Sequence, residues 1–282
     1  ILDVELSVVP NERYHIEQIL IPVDQAMTTY ENKIKPQSDV AMVYARMGIV
    51  PDEFLETVII NVLYRDPAAD GKLPKLSEPG LVKLRRSMFR GSAGSDYGKQ
   101  LRWAAETKLQ PHLRNKYFSR NQMLNEGVEI YENRSAGSTD ILHEYFVPRE
   151  SVEQFVIELQ RIIPEHNADL LNVTVRFIST DHDSFLRYAD QEMFSFVMLF
   201  NQPRSDAGDQ QMQLMTRALI ESALQLSGRY YLPYRLHATV DQFNRAYPQA
   251  KEFFAKKKQY DPEGLFQNRF YLKYGSGEPA AD

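Results

Sequence analysis

The order of periodicities between residues 141 and 231 restricts this chain more than any other feature of it. Ile141 to Val147 (ILHEYFV) reads as a strand. Residues 151–163 read as a helix, because apolar side chains at 152, 155, 156, 159, 162 and 163 fall on one face. Residues 172–179 (NVTVRFIS) and Phe194 to Asn201 (FSFVMLFN) are two more strands. A long amphipathic helix covers about 207–226, Gly228 sits at its C-terminal end, and a last strand opens at Tyr230. The order β-α-β-β-α-β is ferredoxin-like.

The first half carries a rougher version of the same alternation. Residues 3–9 (DVELSVV) alternate as a half-buried strand does, and 14–21 form a second strand. Pro22 opens a helix of about 13 residues with Asp24 in its first turn. Val40 to Ile49 and Phe54 to Tyr64 are strands, the latter rich enough in Val and Ile to be central. Residues 66–78 are a loop, and Pro79 to Leu113 is helical with a break at 91–95. The fold expected is α+β: a mainly antiparallel sheet of about seven strands, helices on one face, and a C-terminal helical tail. The other face is the expected pocket face, where every second strand residue points at a ligand.

Composition narrows the function. The chain has 282 residues, is 25% charged and carries a net charge of −5, which argues against a nucleic-acid surface. It has no Cys, so disulfides, thiolate zinc sites and cysteine nucleophiles are excluded. The six His lack metal-binding spacing, and His182 in Asp181-His182-Asp183 reads as a turn, so no metal site is expected. No apolar run approaches the roughly 18 residues of a membrane span. The compartment is unknown, with soluble and cytoplasmic as the default. Opening on Ile1, the chain reads as a fragment.

Residues Tyr230 to Tyr274 hold twelve Tyr and Phe, with Arg235 and His237 among them. Such a stretch is a pocket wall, a tail packed on another domain, or an ordinary hydrophobic C-terminal helix pair. Its end, Asp261-Pro262-Glu263-Gly264-Leu265-Phe266-Gln267-Asn268, together with Tyr247-Pro248 before it, resembles the terminal signature of FAD-linked oxidases of the vanillyl-alcohol-oxidase type. That group includes alditol, sugar-lactone and decaprenylphosphoryl-ribose oxidases. The resemblance covers roughly the last 140 residues and implies the C-terminal substrate-binding (cap) domain of an FAD-dependent oxidoreductase. FAD would be held mainly by a separate N-terminal domain. On this reading residues 1–10 end the connection to that domain, 11–238 form the cap, and 239–282 are a tail returning to it. The implied reaction oxidises a small alcohol, lactone or sugar-like substrate by hydride transfer to flavin N5.

Candidate residues follow from both routes. On the strand 172–179, alternation places Thr174 and Arg176 on one face, and a mid-strand Arg needs either a ligand or a structural ion pair. The family places a Glu-x-Arg pair at this strand; here Arg176 matches and Thr174 replaces the Glu. Alditol oxidase's His falls at Leu199. Counting back from Tyr247-Pro248, the family's lysine near the flavin falls at Tyr234. Tyr234 is therefore a candidate for catalysis and for the flavin side. As a base its phenol needs a cationic neighbour, since its ordinary pKa is about 10. His237 is either a general base or a hydrogen-bond partner in an interface. Arg235, His143, Tyr145 and the polar stretch containing Arg120 and Asn121 are candidate substrate contacts. The reading of that polar stretch as a turn capped by Ser119 stands beside it. Glu144 reads as a structural ion-pair residue. Asn268 of the terminal signature is carried over as a flavin-side residue. Gly91-Ser92-Ala93-Gly94-Ser95 lies between helices, not after a strand, and is a weak phosphate-cradle signal. The rivals are a non-enzymatic ligand-binding or interaction module on the same fold, and a hydrolase, for which no nucleophile elbow is present.

Overall fold

A computed structural model describes residues 3–66, 73, 75–78, 80–109, 117–125 and 127–276. The expected loop at 66–78 and the helix end at 110–113 lie partly or wholly outside the described residues. The strands are β1 (Arg13–Pro22), β2 (Val40–Met47), β3 (Thr57–Arg65), β4 (Tyr117–Ser119), β5 (Ser138–Pro148), β6 (Asp169–Ile178), β7 (Met193–Pro203) and β8 (Arg229–Tyr230). They form one sheet of 8 strands, ordered β4-β1-β3-β2-β6-β7-β5-β8, with antiparallel neighbours throughout.

That order is a palindrome. If the strands of each half are numbered from one to four, both halves read 4-1-3-2 and meet through their second strands, β2 and β6. At the seam Tyr44 pairs with Arg176, Ala45 with Val175 and Arg46 with Thr174. The rough alternation of the first half is thus a second ferredoxin-like unit. Both outer edges end in very short strands, a device that limits edge-to-edge pairing. Residues 3–10 are exposed and outside any strand, contrary to the alternation at 3–9. The reason is that both sides of β1 are already taken, by β3 and β4.

One face carries the helices. A helical stretch runs through a 3-10 turn (Val23–Gln25), α1 (Ala26–Thr29) and a π turn (Tyr30–Ile34). The helix after β5 is α5 (Val152–Glu165) and the one after β7 is α6 (Asp206–Gln225). Every apolar position expected on α5 is buried. Phe155 and Leu159 meet Tyr145, Val173, Phe196 and Met198 in the main core, each of which removes an apolar side chain from water. Gly228 is required where α6 returns to the sheet. A Cβ there would lie 2.4 Å from the Phe146 carbonyl oxygen and 2.7 Å from that of Ala223.

The second face is partly covered as well. Helices α2 (Val82–Arg90) and α3 (Asp96–Ala104), the latter continued by a π turn (Ala105–Leu109), lie across one end of it. Arg90 pairs with Asp140 of β5, Lys99 with Asp169 of β6, and Trp103 sits against Gly48. Arg90, at the C-terminal end of α2, thus serves to dock that helix on the sheet. Ser119 caps the short α4 (Arg120–Leu124), as its sequence suggested. In the tail, α7 (Val240–Ala246), α8 (Ala250–Tyr260) and α9 (Arg269–Tyr274) send Phe243, Tyr247 and Tyr274 into the main core. Tyr260, Leu265 and Phe266 of the terminal signature stay exposed.

Candidate functional site

Strand alternation assigns the open face residue by residue. On β5, His143 and Tyr145 face α5 and α6, so Leu142, Glu144 and Phe146 face the other way. On β7 the open-face residues are Ser195, Val197 and Leu199; on β6 they are Asn172, Thr174 and Arg176. Ser195 is fully buried, and its hydroxyl donates to Glu144 Oε1 at 2.5 Å. Tyr234, on the loop after β8, donates to Glu144 Oε2 over a long 3.4 Å. Arg176 is the cross-strand partner of Ser195, which places it and Glu144 on opposite sides of that hydroxyl. The Arg176 residue is exposed, and its side chain makes neither an ion pair nor a hydrogen bond among the described residues.

The phenol of Tyr234 is pushed up to about 12, first by burial and then by the Glu144 carboxylate, with Arg176 opposing. It is protonated at neutral pH and acts as a hydrogen-bond donor. The cationic neighbour that a phenolate base requires is outweighed here. Tyr231 stacks edge-on against Tyr234, with Phe146 and Tyr188 beneath, so the loop rests on an aromatic bed.

Tyr234 also lines an open cleft of about 730 Å³ on this face. Leu142 and Leu199, a directly opposed pair on β5 and β7, contribute to its lining. Val128, Tyr131 and Pro233 add apolar wall, and Glu132, Arg204 and Arg235 add charge. A smaller hollow of about 210 Å³ lies on the opposite face, between the helical stretch at 23–34 and α5. Met27, Val58, Val156, Phe194 and Phe196 line it, with Asp24, Glu153, Gln160 and Arg176 also at its boundary; strand alternation carries the Arg176 side chain to the other face, and the hollow reads as a packing gap.

The remaining sequence candidates separate. Thr174 lies beside Arg176 on the open face, but its hydroxyl accepts from Asn172 Nδ2 at 3.2 Å. Arg235 projects to the cleft rim and pairs with Asp209 of α6. His143 and Tyr145 lie buried on the helix face, joined to each other at 3.1 Å, away from the open face. His237 is buried with them, its Nδ1 2.9 Å from Thr216 Oγ1. Burial lowers His143 to about 3 and His237 to about 4, so both rings are neutral near pH 7. Arg120 and Asn121 belong to α4, which follows the edge strand β4 at the far side of the sheet from β8; Asn121 N donates to Asn11 there. Asn268 is the N-cap of α9, accepting from Tyr271 N at 2.8 Å.

Glu144 and Ser195 are the site residues that sequence reading missed. Glu144 was assigned an ion pair, and among the described residues it has none; it holds two hydroxyls instead. The signal was present, since each is a polar residue set among large apolar ones on a strand. No group of His, Asp and Glu among the described residues is arranged to hold a metal ion. No described helix is long and apolar enough to cross a membrane.

A flavin finds a partial fit. The Gly91 to Ser95 segment is a turn between α2 and α3, and the Ser92 hydroxyl in it is taken by Phe89 O and Arg102, so it offers no phosphate cradle. The open face, with Tyr234 and Arg176 facing outward, suits only the ring end of such a cofactor.

A double ferredoxin-like sheet of this kind is a fold shared with solved oxidases. The solved structure titled "Solvent-stable cholesterol oxidase" matches with TM-score 0.58 at 13% identity, over 94% of this chain and 60% of that one. The 4-ethylphenol oxidase from Gulosibacter chungangensis, solved as an isoeugenol complex, matches with TM-score 0.51 at 14% identity, over 94% of this chain and 54% of that one. The chain thus spans little more than half the length of either. No curated protein sequence matches it. The sequence model of the D-arabinono-1,4-lactone oxidase family matches residues 97–274, more than half of the chain, and the chain belongs to that family of FAD-linked oxidases.

Proposed function

We propose that this chain is the substrate-binding part of an FAD-dependent oxidoreductase that oxidises a small alcohol, lactone or sugar-like substrate. The observation that carries the reading is the convergence of Glu144, Ser195, Tyr234 and Arg176 on the one sheet face left open beside a cleft. Tyr234 donates a hydrogen bond to substrate oxygen, Arg176 offsets negative charge that develops on it, and the loop at 231–235 shields the site from water. When bound, the flavin supplies the hydride acceptor. A separate N-terminal domain holds its phosphates, consistent with the lack of a phosphate cradle among the described residues. The exposed Leu265 and Phe266 suit contact with that domain.

The test is an absorbance spectrum of the protein expressed from its complete reading frame. Flavin bands are expected there and not in the 282-residue chain alone. Substrates are then screened by anaerobic bleaching of those bands. A complete protein that stays colourless and takes up no added FAD leaves a ligand-binding module without redox chemistry.

A further inference from the structure

We propose that Glu144 is the group that receives the substrate's reacting hydroxyl, and that the adjoining cleft takes a monohydric alcohol whose apolar body lies on Leu142 and Leu199. This rests on the oxidoreductase reading above and adds to it the base and the class of alcohol.

Glu144 is a half-buried carboxylate on β5, the strand next to the β8 edge of the sheet. Among the described residues no cation pairs with it. A carboxylate offers about four acceptor positions, and here two are used, by Ser195 and Tyr234. The first bond is short and fixes the orientation of the side chain. The second, at 3.4 Å, is at the limit of a hydrogen bond and is readily replaced by a substrate hydroxyl. Desolvating a carboxylate without a cation is costly, and a site that does so invites a donor.

Its placement relative to Arg176 is the second argument. On β6 the position two before Arg176 is Thr174, whose hydroxyl is engaged by Asn172 and cannot serve as a carboxylate. Across β7, however, Ser195 has Arg176 as its register partner on one side and the Glu144 carboxylate on the other. The cation and the carboxylate thus lie on the same face of the sheet, on the two strands that flank β7. A bound flavin would supply the acceptor for the substrate's C–H hydride, and the Glu144 carboxylate would take the O–H proton as the C=O bond forms. Glu144 then loses its proton to solvent.

The floor of the cleft decides the substrate body. Leu142 and Leu199 oppose each other next to Glu144, and Leu142 is 41% exposed where β5 runs beyond its short pairing with β8. Each further hydroxyl laid against this pair gives up water without gaining a partner. Val128, Tyr131 and Pro233 continue the apolar surface on part of the wall, and Glu132, Asn133, Asp140, Arg204 and Arg235 make the rest of it polar.

The experiment is a fluorine NMR titration of 4-fluorobenzyl alcohol and of 4-fluorotoluene into wild-type protein, Glu144→Gln and Leu142→Asn. Gln retains an acceptor for Ser195, and thermal melting checks that both variants fold. The alcohol is expected to bind wild type about fivefold or more tightly than the toluene, and the ratio to shrink to about twofold or less in Glu144→Gln. Leu142→Asn weakens both probes about fivefold, and sorbitol displaces neither. In flavin-loaded protein, Glu144→Gln slows flavin reduction by the alcohol about 10²- to 10⁴-fold. No binding to wild type, an unchanged ratio in Glu144→Gln, or displacement by sorbitol at equal concentration overturns the proposal. Flavin bleached by sorbitol and not by the aryl alcohol does so too, while leaving the oxidoreductase reading intact. Tight probe binding with no alcohol of any kind bleaching the flavin defeats that reading instead.

Discussion

Arg46 and Arg176 hold equivalent places in the two halves of the sheet, one residue beyond the seam pair Ala45 and Val175 on the same face, yet among the described residues only Arg46 has a carboxylate against it. Its partner Glu106 comes from the π turn at 105–109 and also takes Arg102 at 3.0 Å. A π turn is rare and tends to mark a site under constraint. Here it brings one carboxylate between two guanidinium groups. Burial alone would raise the Glu106 carboxyl, but Arg46 and Arg102 together hold it below its ordinary value. Removing that charge leaves two cations without a partner, one of them buried. Glu106→Gln is therefore expected to cost about 3–5 kcal/mol in urea denaturation. Arg176→Met, at the equivalent but open position, is expected to stay within about 0.5 kcal/mol in stability and to lower substrate turnover instead. Equal losses for the two variants would remove the distinction between a structural and a free arginine.

The Tyr234 phenol reports directly on Glu144. Burial is the larger cause of its elevation and persists in any variant, whereas the carboxylate's share is removable. In Glu144→Gln the phenol pKa is expected to fall from about 12 while remaining above the ordinary value of about 10. Carbon-13 NMR of labelled tyrosine Cζ, with Tyr234→Phe for assignment, measures this. A pKa that does not move would mean that the long 3.4 Å contact carries no charge coupling.

The buried pair His143 and His237, bridged by the Thr216 hydroxyl, sets an acid limb of stability. Burial is the leading cause for both, and their folded pKa values, about 3 and about 4, lie below the unfolded value of about 6.5. As pH falls the unfolded chain binds these protons first. Their contribution is complete above about 6.5 and declines as pH drops toward the folded values. Unfolding free energy is expected to fall between pH 6.5 and 5, before most carboxylates titrate. His143→Gln/His237→Gln should flatten that limb. A wild-type curve already flat over this window would show that the rings are not neutral and enclosed.

Much of this was legible in the chain because period and burial agree. The apolar spacing on α5 and the alternation of Asn172, Thr174 and Arg176 needed no tertiary information. The site was harder to read for a definite reason. Alternation says that His143 and Glu144 face opposite ways, but not which of the two faces is open. Chemistry favoured the histidine, and the helices cover it. Asn268 and the segment at 120–121 have polar groups absorbed by helix and turn geometry, which competes with ligand binding for the same atoms. Residues 3–9 have strand periodicity without a free edge to pair with, and only the full sheet order shows that.

Tyr247 illustrates how a motif residue can serve the site at a distance. Its ring is fully buried against Phe243 and Tyr230, and its hydroxyl donates to the Tyr230 carbonyl, at the point where β8 ends and the Tyr234 loop begins. Tyr247→Phe keeps the ring and removes the donor, leaving a buried carbonyl without that partner. The expected cost is about 1–3 kcal/mol. For a chain of this size each kcal/mol is worth roughly 2–4 °C, so the melting temperature should fall by several degrees. If the bond also positions the loop, the Tyr234 phenol will titrate nearer its ordinary value in Tyr247→Phe, as contact with Glu144 is lost. A stability loss with an unchanged Tyr234 titration would confine Tyr247 to the core and leave Tyr231, packed on Phe146 and Tyr188, as the loop's anchor.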